Sequence, residues 1–243
     1  MCLLGTDDHC WLSEVEKTNW LQIINSVLQG ANKVAKLLST GTSVVTHCSD
    51  GWDRTPQITS LVQFILDPYY RTFKGFQVLI EKEWVSFGHN FCDRVGHTRP
   101  KDPSHVSPIF LIFLDCIFQI MDQFPCSVEF NEQLLFFIME NVYACRFGNF
   151  LFNSEKQAKE YRKLQRTVSI WDCVNDESKK YKNLLYKENK YPLYPVCTLK
   201  RLKLWSFYTR YMPSFSKKES PDPVIWLALR NYRRSNASSS KIV

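Results

Sequence analysis

Apolar residues recur at helical spacing between positions 20 and 38. Trp20, Ile24, Val27, Leu28, Ala31, Val34, Ala35 and Leu38 fall on one face of a helix. Thr18 is its candidate N-cap and Gly41 its stop. The period then changes. Ser43-Val44-Val45-Thr46-His47 is short and β-branched, and predicts a buried strand. It is the only strand predicted before residue 100. After the loop Cys48-Ser49-Asp50-Gly51-Trp52-Asp53-Arg54, Thr55 and Pro56 open a second helix. Proline in the first turn costs little there, because its missing N–H has no partner inside the helix. This helix runs through Leu61 and Ile65 and stops before Asp67-Pro68, since the residue preceding proline disfavours helix. Further helices are predicted over 75–85, 107–123, 131–145, 154–164 and 199–211. Ser107 and Pro108 form a cap-plus-N1 pair. The class is therefore α/β at the loop, followed by a mostly helical C-terminal half.

Composition narrows this picture. A chain of 243 residues makes one good-sized domain rather than two. We place that domain over 1–215, with a basic, disordered tail over 216–243 that carries Pro221, Pro223, Arg233, Arg234 and a serine run. Aromatic residues are 14% of the chain, which predicts a core built on large rings. The nine cysteines show no paired spacing, so reduced thiols are expected, and no His/Cys cluster has zinc-ligand spacing. Positions 1–9 lack the basic start and apolar run of a signal peptide. The longest apolar stretch, 109–120, is too short to cross a bilayer and contains Asp115. A net charge of +7 fits an acidic partner: phosphate-bearing lipid, RNA or an anionic membrane surface. Charge alone does not choose among them.

The chemistry lies in His47-Cys48, five residues, then Arg54-Thr55. A strand–loop–helix turn directs successive backbone N–H groups inward and aims a helix N-terminus at their centre, which makes an anion cradle. The same field favours thiolate over thiol at Cys48, and the thiolate is the nucleophile. Arg54 closes the ring with a planar fork suited to two phosphoryl oxygens. Gly51 permits a backbone angle that other residues resist. Thr55 is placed to donate its hydroxyl to the Cys48 sulfur. A bare Cys-x5-Arg arises often by chance, and a buried cysteine is usually inert packing. The predicted context sets this one apart.

The full string His-Cys-Ser-Asp-Gly-Trp-Asp-Arg-Thr resembles the signature loop of the myotubularin family of phosphoinositide 3-phosphatases. Further segments look like that family's phosphatase domain, in its order: Asp67-Pro68-Tyr69-Tyr70-Arg71-Thr72, Gly75-Phe76, Glu81-Lys82-Glu83-Trp84, Ser86-Phe87-Gly88-His89, Gln123-Phe124-Pro125, Glu129-Phe130-Asn131-Glu132 and Phe147-Gly148. The likeness runs from about residue 20 to about residue 211. It implies a cysteine-phosphatase-like fold. It also implies that Cys48 attacks the 3-phosphate and forms a phosphocysteine, that Arg54 stabilises the transferring phosphoryl, and that Asp53 is general acid and then water-positioning base. No metal or cofactor is implied. Ser49, Asp50, Gly51 and Trp52 would line the substrate. Asp50 is as well explained by an Asx turn, and Trp52 better by packing. Two basic residues after Ser-Phe-Gly-His reach the headgroup in the family. Arg94 matches the second, whereas Asn90 stands where the first is basic. That departure removes a charge. Unless a lysine or arginine from another segment fills the gap, it implies a stronger preference for the 3-phosphate lipid than in relatives with a basic residue there, with the 3,5-bisphosphate as a second candidate substrate. Lys74 and Arg71 read as solvated surface.

The partner implied is a phosphoinositide at a membrane surface, not nucleic acid, with homo- or hetero-oligomers of myotubularin relatives and a cytoplasmic, peripheral place on endosomal membranes. Cys48 falls so near the start that the chain reads as the C-terminal part of a phosphatase domain, with the upstream strands absent. Two other functions stay open: a cysteine-dependent phosphatase of phosphoproteins, and a non-catalytic fragment that binds a full-length relative.

Overall fold

A computed structural model describes residues 16–97, 105–163 and 168–211. The readings of positions 1–9 and of the tail 216–243 lie outside the described residues.

The first helix, α1, spans Trp20–Ser39 and buries Trp20, Ile24, Leu28, Ala31 and Ala35, spaced as one helical stripe. Thr18 is not its N-cap but lies one position outside it. Asn19 occupies the cap position, and the Thr18 hydroxyl accepts the Trp20 N–H at 3.2 Å. At the other end Gly41 donates to the Leu38 carbonyl and Thr42 to the Leu37 carbonyl, both at 3.0 Å, which closes a Schellman stop. Helix α2 spans Arg54–Leu66 and ends before Asp67-Pro68 as its sequence requires. Helix α5 spans Ile109–Gln123 and is buried along almost its whole length. These three helices pack on one another. Gln57, in the first turn of α2, donates to the Ile109 carbonyl at 2.8 Å, so α2 and α5 begin side by side.

Around this trio lie α3 (Phe73–Ile80), a π-helical turn (Glu81–Ser86), α4 (Phe91–Val95) and α6 (Glu132–Ala144). The C-terminal half adds α7 (Glu155–Lys163), α8 (Ile170–Asp176), α9 (Ser178–Tyr181) and α10 (Ser206–Tyr211). The core is aromatic, as the composition predicts. Phe76 stacks on Phe130 with ring centroids 4.4 Å apart, and Trp84 meets Phe110 and Phe113 at 5.0 Å each. No described helix is long and apolar enough to cross a membrane.

Four expectations need correction. The segment 43–47 forms no ladder, and Val45 is 89% exposed. β-Branched residues favour extended backbone, but a strand is held only by a neighbour, and no described residue pairs with this one. The one pairing among the described residues is an isolated bridge between Phe130 and Lys182. Second, Ser107 does not cap α5. Its N–H is drawn to the Arg94 carbonyl at 2.9 Å, and Pro108 takes the cap position. Third, 199–205 is not helical. The Lys203 backbone pairs with the Gln119 side chain instead, N–H to Oε1 at 3.0 Å and carbonyl from Nε2 at 2.7 Å. Fourth, Arg71 is buried, not solvated. Its guanidinium donates to the carbonyls of Asn189 and Tyr191 at 2.9 and 3.1 Å. Lys74 is exposed, as expected.

Candidate active site

The loop 48–53 feeds directly into α2. Gly51 makes the turn possible with φ at 90°, a region that side chains with a Cβ rarely enter. The turn brings the Gly51 N–H to 3.2 Å from Cys48 Sγ, and the Thr55 hydroxyl approaches from the helix to the same distance. Burial works to raise the Cys48 thiol. The Thr55 hydroxyl, with the N–H groups of Gly51, Thr55 and Asp50, outweighs it and lowers the thiol from 9.0 to about 7. Half of such thiols are nucleophilic thiolates at neutral pH.

Arg54 opens α2, is exposed, and rests its Nη2 on the Ser49 hydroxyl at 3.4 Å. Ser49 in turn donates to Asp50 Oδ2 at 3.2 Å. The Asp50 carboxylate thus turns along the loop rim beside the arginine fork. Trp52 is half-buried, and its shielded indole N–H has no hydrogen-bond partner.

Asp53 occupies the N-cap position of α2, yet its side chain accepts no helix N–H. The carboxylate is drawn the other way. Arg94 reaches it with Nε at 3.2 and 3.0 Å and Nη2 at 2.8 Å, and His89 Nδ1 stands 3.1 Å from Oδ1. Burial tends to raise this carboxyl. The hydrogen bonds and charges of His89 and Arg94 prevail and hold it below the ordinary 3.8. Asn90 sits at the start of α4. In the amide orientation that satisfies its neighbours, Nδ2 donates to the carbonyls of Gly88 and Asn153, both at 3.1 Å.

Of the residues read from the sequence, Cys48, Ser49, Asp50, Gly51, Trp52 and Asp53 therefore share one loop, Arg54 and Thr55 follow in the first turn of α2, and Arg94 joins them across Asp53. Asn90 stands near but commits its amide to backbone. His89 carried no role in the sequence reading. The signal was its place in Ser-Phe-Gly-His, five residues before Arg94. The pieces combine a low-pKa thiolate, an arginine fork, inward N–H groups and a fixed carboxyl, which suits covalent phosphoryl transfer.

The comparisons agree with this geometry. The family model of the myotubularin-like phosphatase domain matches residues 4–159. A myotubularin of Xenopus laevis is 47% identical over 227 residues, which cover 90% of this chain and 37% of that protein. A myotubularin of Rattus norvegicus is 44% identical over 218 residues, 87% of this chain and 36% of that protein. The chain thus spans a little over a third of the length of these relatives. With the match covering more than half of its residues and enclosing the whole Cys48–Arg54 loop, the chain belongs to the myotubularin-like phosphatase domain family.

Proposed function

We propose that this chain carries the catalytic loop of a phosphoinositide 3-phosphatase that removes the 3-phosphate of phosphatidylinositol 3-phosphate through a phosphocysteine. The observation that carries the reading is the convergence of the Gly51 N–H and the Thr55 hydroxyl on Cys48 Sγ, each at 3.2 Å, at the start of α2.

In this reading the Cys48 thiolate attacks phosphorus, and the S–P bond forms as the bond from phosphorus to the inositol oxygen breaks. Asp53 gives that oxygen its proton. Arg54 and the loop N–H groups hold the equatorial oxygens throughout. Water then attacks the phosphocysteine, its proton passes to Asp53, and phosphate leaves with return of the thiolate. Asp53 begins ionised, since His89 and Arg94 lower it. A phosphate dianion alongside would push the carboxyl back up by like-charge repulsion, so the acid is charged with its proton as substrate arrives. Thr55 eases departure of the sulfur by hydrogen-bonding the thiolate. Asn90 supplies no cation and its amide is engaged by two carbonyls, which supports the 3-phosphate lipid over the 3,5-bisphosphate. The setting we propose is a cytoplasmic, peripheral one on endosomal membranes, in homo- or hetero-oligomers with myotubularin relatives.

The test is phosphate release from a panel of water-soluble phosphoinositides, with a phosphotyrosine peptide alongside. Turnover of the 3-phosphate lipid that vanishes in Cys48→Ser is expected. Turnover of the peptide alone would replace this reading with a protein phosphatase. Undiminished activity in Cys48→Ser would remove the cysteine mechanism.

A further inference from the structure

His89 is the most enclosed polar side chain of the site. Its ring is 1% exposed and stands edge-on to Trp84 (centroids 5.0 Å apart, 84°) and to Phe91 (4.7 Å, 89°). The aromatic core therefore fixes the plane of the imidazole. Nδ1 lies 3.1 Å from Asp53 Oδ1 and 2.9 Å from the Trp52 carbonyl oxygen. Both neighbours are acceptors, so Nδ1 carries a proton, which points to the Trp52 carbonyl and is shared with Asp53 Oδ1 beside it. Nε2 is buried and touches no hydrogen-bond partner. A polar ring placed this deep for only one of its nitrogens is a costly way to fill space, which points to the work done by Nδ1.

That work follows from where Asp53 sits. An aspartate at an N-cap ordinarily turns its carboxylate onto the N–H groups of the helix it opens. Asp53 does not. Arg94 grips both carboxylate oxygens from one side, and His89 takes Oδ1 from the core side. Arg94 is held by hydrogen bonds at its far end, with Nη1 on the His105 carbonyl at 2.7 Å, whereas the His89 ring is held by packing and cannot move without displacing Trp84 and Phe91. His89 is thus the core-side anchor of the clamp.

We propose that His89 is a positioning residue for Asp53: its Nδ1–H holds the carboxylate off the α2 N-terminus and aims it at the leaving oxygen. The inference rests on the phosphatase reading above and adds to it the residue that orients the acid.

Three measurements on the full chain test it. His89→Phe keeps a ring between Trp84 and Phe91 and deletes the donor. General acid catalysis contributes about 10²- to 10⁴-fold, so misplacing the acid is expected to lower kcat on soluble phosphatidylinositol 3-phosphate about tenfold to a hundredfold, with KM changed by less than about twofold. On 4-nitrophenyl phosphate, whose leaving group departs without a proton, the loss is expected to be markedly smaller. His89→Asn sets an amide N–H near the Nδ1 position and recovers most of the lipid activity. Equal losses on both substrates, a loss carried by KM, or an Asn variant no better than Phe would each overturn the proposal. A third measurement needs no turnover. Nitrogen-15 spectra of the histidines are expected to show His89 protonated at Nδ1, and the carbon-13 titration of Asp53 to move up in His89→Phe. An unprotonated Nδ1, or an unmoved Asp53, overturns the inference even in a protein without phosphatase activity. Absence of all turnover with both spectral results as expected would defeat the phosphatase reading alone.

Discussion

Arg94 meets Asp53 fork to fork, with Nη2 2.8 Å from Oδ2 and Nε shared between both carboxylate oxygens at 3.0 and 3.2 Å. Its remaining arm donates from Nη1 to the His105 carbonyl at 2.7 Å, so the guanidinium is tethered beyond the carboxylate as well. The contact joins α4 to the loop that carries Cys48 and Asp53.

Removing that arginine therefore has two effects. In Arg94→Ala the burial of Asp53 loses part of its opposition, and the carboxyl rises from its lowered position. Under the proposed function a bound headgroup would also lose a charge-assisted contact. We expect kcat/KM on the 3-phosphate lipid to fall about a hundredfold or more, the cost typical of deleting one electrostatic clamp. Arg94→Lys keeps the charge but not the planar fork, and is expected to recover only a minor part. Carbon-13 titration of Asp53 together with lipid kinetics checks both effects. A carboxyl that does not move in Arg94→Ala would mean that His89 alone sets it.

The Cys48 thiol, at about 7, is readable without any substrate. Alkylation by iodoacetamide, followed on the Cys48 peptide by mass spectrometry, is expected to accelerate as pH rises through about 7 and then level off, because only the thiolate reacts. Thr55→Val removes the hydroxyl donor that leads the lowering interactions. The midpoint should then move upward, toward the ordinary 9.0. An unchanged midpoint would leave the loop N–H groups as the whole source of the effect.

Arg54 gives a third expectation. Arg54 is exposed, and among the described residues its guanidinium hydrogen-bonds at the edge of the loop, to Ser49. Arg54→Lys should therefore fold normally, since little packing depends on the fork. It should nevertheless lose about a hundredfold in kcat, because a point charge lacks the two-pronged fit to a phosphoryl group. Paired urea unfolding and kinetics separate the two consequences. A loss of only about twofold in kcat would make Arg54 structural.

Gly75 sets a limit on the scaffold behind the site. A Cβ there would run into the Tyr69 carbonyl, with its carbon at 2.5 Å and Tyr70 Cα at 2.9 Å. All of these are backbone atoms, held by the 3₁₀ turn Pro68–Arg71 and the buried Arg71. Gly75→Ala is therefore expected to cost several kcal/mol, well above the ordinary 0.5–3 kcal/mol of a point change, and to reduce soluble yield. Wild-type thermal stability in that variant would mean that the turn yields easily.

How much of this was legible in the sequence depended on the range of the interactions. The stripe of α1, the stop at Asp67-Pro68 and the ring of loop residues are set by neighbours a few positions apart, and all emerged from spacing. The loop's own geometry, with Gly51 in the left-handed region and the Thr55 hydroxyl on the sulfur, is local and was legible. The failures were long-range. Whether Val44 and Val45 pair in a sheet depends on a partner that no local pattern supplies. Ser107 caps a helix or not according to the Arg94 carbonyl, thirteen positions back in the chain. Lys203 leaves a helical pattern because Gln119 takes its backbone. Arg71 is a charge whose partners are carbonyls at 189 and 191, which periodicity cannot foresee. His89 falls in the same group, since its purpose is visible only once Asp53 and Trp52 stand beside it.

Asp115 carries the last prediction, because the fold closes around it. It interrupts the apolar run of α5 and is fully buried, accepting from Trp20 Nε1 at 2.8 Å, Gln119 Nε2 at 2.8 Å and the Tyr208 hydroxyl at 2.6 Å. It thereby ties α1 and α10 to α5. Asp115→Ala leaves these donors unpartnered, at about 1–3 kcal/mol each, so a loss of at least about 3 kcal/mol is expected. The pH dependence has a definite direction. Burial pushes the carboxyl above its ordinary 3.8, against the three hydrogen bonds that favour the charged form. The folded protein therefore binds this proton more tightly than the unfolded chain does. Its stabilising effect is complete below the ordinary value and is lost as pH rises toward the raised folded value. Asp115→Asn cannot ionise and shows no such loss. Urea midpoints of the two proteins, measured from about pH 4 to 7, should converge or cross in favour of the Asn variant as pH rises. If the wild type instead gains on the variant with rising pH, the three donors outweigh burial and the carboxyl is ionised in the folded protein.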